Sequence, residues 1–375
     1  MARRFFLAVL GVALALAGVV IAFNAWVDPF QHYRAASRFP ARFYPAWQRY
    51  EAAGIARHYD YDRVVTGSSL MENVLPADVD ALLGGHTINL SISAETAYDA
   101  GQMLGVALRA RHPRQVIMNL DYNMFSGAPE RSGFNEAFPS YLYDDAWWND
   151  VPYVLGIATT LKSAETVLGL HWSRFNTDPA RMWYWGGDYQ FFAAKAVQGL
   201  DPEDLNKRFR QPPRTLEGMQ ESFEANLAPL IEANPGTRFT FVYAPYSLLV
   251  WLDFQQRGQV EVTLAFREWL FERTRRNPNV EFFDFQAEPA IVEDLDYYTD
   301  IYHYSPQVSK AMIAAIAEGR YRLTPAMLAG NDAWIRRTAK SVDPGRMVAE
   351  ARAKPAPQTP DAKTFVPPGG FAPPQ

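Results

Sequence analysis

The hydrophobic pattern opens with an unbroken apolar run from Phe5 to Phe23. At helical rise, about 20 such residues span a bilayer core. A cleaved leader has an apolar stretch of only about 7–15 residues and a small-x-small cleavage site. This run is longer, and Phe23 would stand at the −3 place if Ala25 stood at −1. Trp26 suits the interfacial aromatic belt. The pattern therefore predicts an uncleaved transmembrane helix within residues 1–27. Arg3 and Arg4 favour a cytoplasmic start, but Arg34, Arg38 and Arg42 on the far side blunt the charge bias. A short tail before the span and a large domain after it place that domain outside the cytoplasm, a single-pass protein of the inner membrane with a periplasmic body. The membrane is thus an expected partner, through Phe5–Phe23.

After an aromatic- and arginine-rich collar over 28–60, the pattern changes to strands alternating with helices. The stretch from Tyr61 to Leu70 holds a short β-rich run that ends in Gly67-Ser68-Ser69, and Pro76 to Leu83 is helical. A second strand follows His86 and ends in small residues at Ser91 to Ala94. Tyr98 to Ala110 carries a helical apolar spacing, and Gln115 to Leu120 is a third strand running into Asp121-Tyr122-Asn123. Arg214 to Ala233 predicts a helix, Thr237 to Tyr243 a strand, Val260 to Arg275 a helix and Val280 to Phe285 the last strand. A helix from Pro306 to Glu318 closes the series. Strands that each end in small or polar residues, separated by helices, predict an α/β fold. The expected form is a three-layer, flavodoxin-like sandwich with a mostly parallel sheet over 61–324, its site at the strands' carboxyl ends.

Residues 125–213 interrupt this alternation as an aromatic-rich insertion, expected to cap the strand ends, with a helix or helix pair over Val151 to His171. His171 has no carboxylate at a usable spacing and reads as structural. Residues 325–375 form a C-terminal extension, proline-rich and disordered from about 354.

Composition narrows the chemistry. In 375 residues there is no cysteine, which excludes disulfides, thiolate metal sites and cysteine nucleophiles. The net charge of −5 is mild, and without a basic stripe nothing points to nucleic acid. There is no phosphate-loop pattern, no His-Glu-x-x-His and no histidine cluster with metal-ligand spacing, so no cofactor is expected.

The sharpest chemical signal is late. Asp300 precedes His303 by three residues on a loop that leads into Ser305-Pro306, a helix start with serine as N-cap. On irregular backbone that spacing sets a carboxylate beside an imidazole, fixing one ring nitrogen and freeing the other as a base. Upstream, Gly67-Ser68-Ser69 is a strand-to-helix turn of the kind that exposes a nucleophile and aims backbone N–H groups at an oxyanion. Each signal alone is also met as ordinary structure: a capped turn, or a plain strand-to-helix connection.

Together they resemble the SGNH, or GDSL-type, hydrolase superfamily. That pattern has a serine after the first strand, a glycine after the second, an asparagine after the third and a late Asp-x-x-His. The matching places are Gly67-Ser68-Ser69, the Ser91 to Ala94 turn, Asp121-Tyr122-Asn123 and Asp300 to His303. The resemblance implies Ser69 as nucleophile with Ser68 as the alternative, His303 as base and Asp300 as its orienter. It implies an oxyanion hole from Ser69, Ala94 and Asn123. Ser68 replaces the family's aspartate, Ala94 or Ser93 its glycine, and Asp121 the glycine before x-Asn. These departures are similar to those of membrane-anchored relatives that act in cell-envelope acyl transfer.

The expected function is a serine esterase or O-acyltransferase acting on acyl esters of envelope carbohydrate. A polysaccharide and a membrane acyltransferase are the expected partners. The rival is a non-catalytic glycan-binding or scaffold protein on the same fold, to which the departures lend support.

Overall fold

The computed structural model describes residues 1–135, 137–170, 176–207 and 213–356; His171 and the tail beyond 356 lie outside them. In chain order the helices and strands are α1 (Ala2–Val27), α2 (Gln48–His58), β1 (Arg63–Thr66), α3 (Pro76–Leu83), β2 (Thr87–Asn89), α4 (Ala97–Arg111) and β3 (Gln115–Asn119). Next come α5 (Val151–Val154), α6 (Ile157–Val167), α7 (Ala193–Ala196), α8 (Leu216–Asn226), α9 (Ala228–Ala233), β4 (Arg238–Tyr243), α10 (Leu248–Gln256) and α11 (Val260–Thr274). The series ends with β5 (Val280–Asp284), α12 (Pro289–Val292), α13 (Pro306–Ala317), α14 (Pro325–Ser341) and α15 (Pro344–Ala353).

The five strands form one sheet in the order β2-β1-β3-β4-β5, every neighbouring pair parallel. Strands buried on both faces read as continuous apolar runs, and β1, β2 and β3 are buried at every residue. The order reverses between β1 and β3, and in such sheets ligands gather at the strands' carboxyl ends at that reversal. Beyond β5, Tyr321 to Leu323 lies along the edge: Asp284 N–H donates to Tyr321 O at 3.0 Å and Leu323 N–H to Phe282 O at 2.8 Å. A covered edge cannot recruit a foreign strand.

The chain divides into two compact units. The sheet unit holds Tyr61–Gly101, His112–Glu136 and the chain from Tyr184 onward. The other unit, called the anchor unit after the span expected of α1, holds Met1–Asp60, Gln102–Arg111 and Ala137–Trp183. In the anchor unit α1 is a 26-residue helix long and apolar enough to cross a bilayer. The collar rings of Tyr44 and Trp47 pack on Phe30, centroids 5.5 Å away in both cases, and Phe30 in turn meets Tyr153 of α5 at 6.3 Å. Tyr143 OH donates to Arg49 O at 2.7 Å, tying α2 to the chain before α5.

Three of the longer helices of the sheet unit were not evident from the pattern. α10 is Leu-Leu-Val-Trp-Leu-Asp-Phe, buried from Leu248 through Phe254, so no polar face marks its period. α14 hides behind polar residues on its buried face, Asn331 and Asp332. The partner of Asp332 is Arg267 of α11, which is wholly buried. It donates to Asp284 Oδ2 at 2.5 Å, Asp332 Oδ1 at 2.8 Å, Tyr122 OH at 2.8 Å and Gln286 Oε1 at 3.1 Å. Asn331 Nδ2 adds a bond to the same Asp284 oxygen at 2.8 Å. α15 follows a Val342-Asp343-Pro344 break, with Asp343 capping Gly345 N–H at 2.9 Å.

Candidate active site

The site grows from the turn after β1. Gly67 has φ 145°, and a Cβ there would stand 2.9 Å from both Asn119 Cβ and Met71 Cγ. Only glycine fits this turn, which delivers Ser68 and Ser69 to the end of the sheet. The two serines part company there. Ser68 is buried and donates to Asp121 Oδ2 at 3.2 Å. Ser69 is half-exposed, and its Oγ lies 2.7 Å from His303 Nε2.

The His303 loop is held from several sides. Ser247, after β4, donates to Ile301 O through Oγ at 2.6 Å and through its N–H at 3.2 Å. Tyr298 OH reaches Pro245 O at 3.3 Å, and Tyr304 OH reaches Leu70 O at 2.7 Å, beside the serine turn. The tyrosines around His303 thus bolt its loop to the strand ends. Asp300 Oδ1 accepts the N–H groups of Tyr302 and His303, both at 2.8 Å. His303 Nδ1 lies 2.7 Å from Asp300 Oδ2 and 3.0 Å from Oδ1. That contact puts the proton on Nδ1 and leaves Nε2 to accept from Ser69. Ser305 takes the N-cap backbone position of α13, but its hydroxyl makes no capping hydrogen bond, so Pro306 and the Ser305 carbonyl start that helix.

Burial works against a charge on His303, but the charge and hydrogen bond of Asp300, reinforced by Glu72 and Asp121, outweigh it and lift its pKa above the ordinary imidazole value. Burial would raise the Asp300 carboxyl, yet His303 and the loop N–H groups hold it below the usual carboxylate range. Glu72 is buried and accepts from Ser93 Oγ at 2.7 Å.

The expected oxyanion donors are placed less directly. Asn123 Oδ1 accepts from Arg214 Nη1 at 3.3 Å, and its side chain also meets the Tyr302 hydroxyl. Ala94 is exposed and has φ 52°, backbone that glycine adopts without strain. Asp121 binds its own turn, accepting Asn123 N–H at 2.9 Å and Tyr246 OH at 2.7 Å.

Four participants escape a reading by spacing. Trp185 donates its indole N–H to Ser69 O at 3.3 Å and sets its ring edge-on to His303, centroids 5.4 Å apart. Arg214 is buried over the Phe254 ring, 4.0 Å from its centroid. Glu72 and Tyr246 complete the set. Within the insertion, only the aromatic density around Trp185 hinted at this. A cavity of about 660 Å³ is lined by Asn206, Thr299, Asp300 and Tyr302 together with Lys195 and Lys207. Among the described residues no group of acidic and histidine side chains could hold a metal ion.

No family model matches the chain, and no curated protein matches it. Among solved structures, a Streptococcus pneumonia chain described as a platelet activating factor is similar at 10% identity, over 73% of this chain and 91% of that one, with a TM-score of 0.33. A likeness of that degree carries neither fold nor activity across. What defines the site is its own geometry: an α/β sheet with serine, histidine and aspartate in one hydrogen-bonded row.

Proposed function

We propose that this chain is an extracytoplasmic, membrane-anchored serine esterase or O-acyltransferase of the SGNH type, acting on acyl esters of envelope carbohydrate. The observation that carries the chemistry is the row Ser69 Oγ–His303 Nε2 at 2.7 Å and His303 Nδ1–Asp300 Oδ2 at 2.7 Å. Ser69 attacks the ester carbonyl while His303 takes its proton. Asp300 holds the imidazole tautomer and supports the imidazolium. The proton returns to the departing alcohol, leaving an acyl-Ser69. Water then releases the acid, or a sugar hydroxyl takes the acyl group; exclusion of water decides between them. The sheet order supports a flavodoxin-like, three-layer arrangement of the domain.

Anchoring draws support from the end of α1. Asn24 Nδ2 donates to Val154 O at 2.9 Å and Thr160 Oγ1 at 2.8 Å, and Asp28 Oδ1 accepts from Tyr153 OH at 2.7 Å. Cleavage after Ala25 would strip Asn24 from the unit it is bonded into.

A fluorophosphonate probe tests the enzyme reading: labelling mapped to Ser69 in the full-length protein supports it. The non-catalytic reading has one observation in its favour, the engagement of Asn123 with Arg214 and Tyr302, which turns an expected oxyanion donor toward the protein. Absence of labelling in folded protein would favour that reading.

The pH profile follows from the electrostatics. His303 works as a base only when neutral, and its pKa is raised above 6.5 by Asp300, Glu72 and Asp121. kcat/KM on an aryl acetate should therefore fall on acidification with a midpoint above 6.5. Glu72→Gln removes one stabilising charge and should move that midpoint down. A midpoint at or below 6.5 in the wild type would contradict this account.

A further inference from the structure

α6 is built inside out. Its buried positions are Thr159, Ser163 and Thr166, all hydroxyl residues. Its outward positions are apolar: Ile157 is 80% exposed and Leu161, one turn on, 59%. The chain just before repeats the pattern, with Trp147, Trp148, Val151 and Leu155 all exposed. A helix facing water carries its apolar residues inward. The charged residues of α6, Lys162 and Glu165, pair with each other at 2.8 Å, and neither is fully exposed.

The same part of the anchor unit is fastened to α1. Both α5 and α6 pack on that helix, and Asn24 bonds into each side of their junction, at Val154 O and Thr160 Oγ1. The end of α1 is also gripped by arginine: Arg34 Nη2 donates to Ala25 O at 2.8 Å and to Trp26 O, and Arg38 Nη1 to Trp26 O at 3.0 Å. An apolar face with no exposed charge from Trp147 to Leu161 thus lies on a part of the chain packed against an apolar spanning helix, with exposed Trp26 and two arginines at that helix's exit and two exposed indoles, Trp147 and Trp148, ahead of α5. That is the residue distribution of a membrane interface, where indoles and cations sit among headgroups and apolar side chains dip below them.

We propose that Trp147 to Leu161 is a membrane-resting platform, seated in the outer interface of the bilayer that α1 spans, with phospholipid as its occupant. The proposal rests on the anchored reading of α1. It gives the anchor unit a definite mechanical role. α1 alone leaves the exit free to tilt and turn, whereas a second lipid contact beside it restrains both.

The absence of cysteine makes the test clean, since a single introduced thiol labels uniquely. Leu14→Cys, Trp148→Cys and Leu161→Cys in the full-length protein, each carrying an environment-sensitive fluorophore, are reconstituted into vesicles of phosphatidylethanolamine and phosphatidylglycerol. Nitroxide lipids with the spin label near the headgroup or near the chain end serve as quenchers, and nitroxide-free vesicles set the baseline. All three replaced side chains are exposed, so the fold should tolerate them; circular dichroism verifies it. The expected result is loss of about half the emission at Trp148 and Leu161 with the shallow quencher, as for side chains about 5–10 Å into the boundary, and quenching at Leu14 by the deep one. Quenching at Leu14 with none at Trp148 and Leu161 would overturn the platform while leaving the anchor standing. No quenching at Leu14 would remove the anchor, and the platform with it.

Discussion

Ser69→Ala is expected to cut turnover of an aryl acetate by about 10⁴-fold or more while the protein stays folded. The side chain lost is small and half-exposed, so little packing goes with it. What disappears is the hydroxyl 2.7 Å from His303 Nε2, and with it the proposed acyl-enzyme. Asp300→Asn should cost a comparable factor by a different route. An amide at that place can still accept the Tyr302 and His303 N–H groups through its oxygen, which preserves the loop. Its NH₂ then faces Nδ1, favours the tautomer with the proton on Nε2, and leaves Ser69 without a base. KM should change little in either variant, because neither side chain is needed to hold the substrate before attack. With a polysaccharide acceptor present, acyl groups appearing on the glycan and lost in Ser69→Ala would identify a transferase. Acid released to water without acceptor dependence would identify an esterase. Equal rates in wild type and both variants would remove Ser69, Asp300 and His303 from the chemistry.

The largest expected loss of stability lies away from the site. Arg267→Ala should destabilise the sheet unit by about 3–5 kcal/mol, the range found when one member of a buried ion pair is removed. Two carboxylates depend on it: Asp284 at 2.5 Å, wholly buried, and Asp332 at 2.8 Å. Burial already pushes the Asp332 carboxyl up to about 6 with the guanidinium in place. Without it, the neighbouring charge of Asp284 stands unopposed. Urea unfolding followed by circular dichroism measures the change. Arg267→Met combined with Asp284→Asn and Asp332→Asn should recover much of it, since the penalty comes from stranded charges more than from lost contacts. If Arg267→Ala alone unfolds at the wild-type urea concentration, the network contributes nothing net.

Several features were legible because their cause is local. The apolar run from Phe5 to Phe23 follows from composition alone, and it lies within the 26-residue α1. The strands were readable because a parallel sheet buried on both faces demands continuous β-branched and aromatic runs, and Pro76 and Pro306 mark helix starts by their own fixed backbone. The Asp300–His303 contact is local too, set by a three-residue spacing on one loop and by the two loop N–H groups that hold the carboxylate. Gly67 announced the serine turn, although the reason only glycine fits joins Met71 of that same turn with Asn119 from the end of β3.

What spacing could not reveal depends on residues far apart in the chain. Which of two adjacent serines meets His303 is decided by the direction in which the turn leaves β1: Ser68 toward Asp121, Ser69 toward the imidazole. Trp185 reaches Ser69 across 116 residues and Arg214 reaches Asn123 across 91, distances over which no periodicity carries information. α14 looked polar because its buried face serves a buried guanidinium, and α10 looked featureless because every face is covered. The aromatic middle of the chain read as one insertion, yet Ala137–Trp183 clusters with the anchor and Tyr184 onward with the sheet. Sequence by itself determined the strands, the helices with a polar face and the residue types of the candidate row, since these depend on neighbours within a few positions. Tertiary structure alone decided which of those residues share a site and which apolar faces remain uncovered, because both depend on where the parallel crossovers and long connections bring distant segments together.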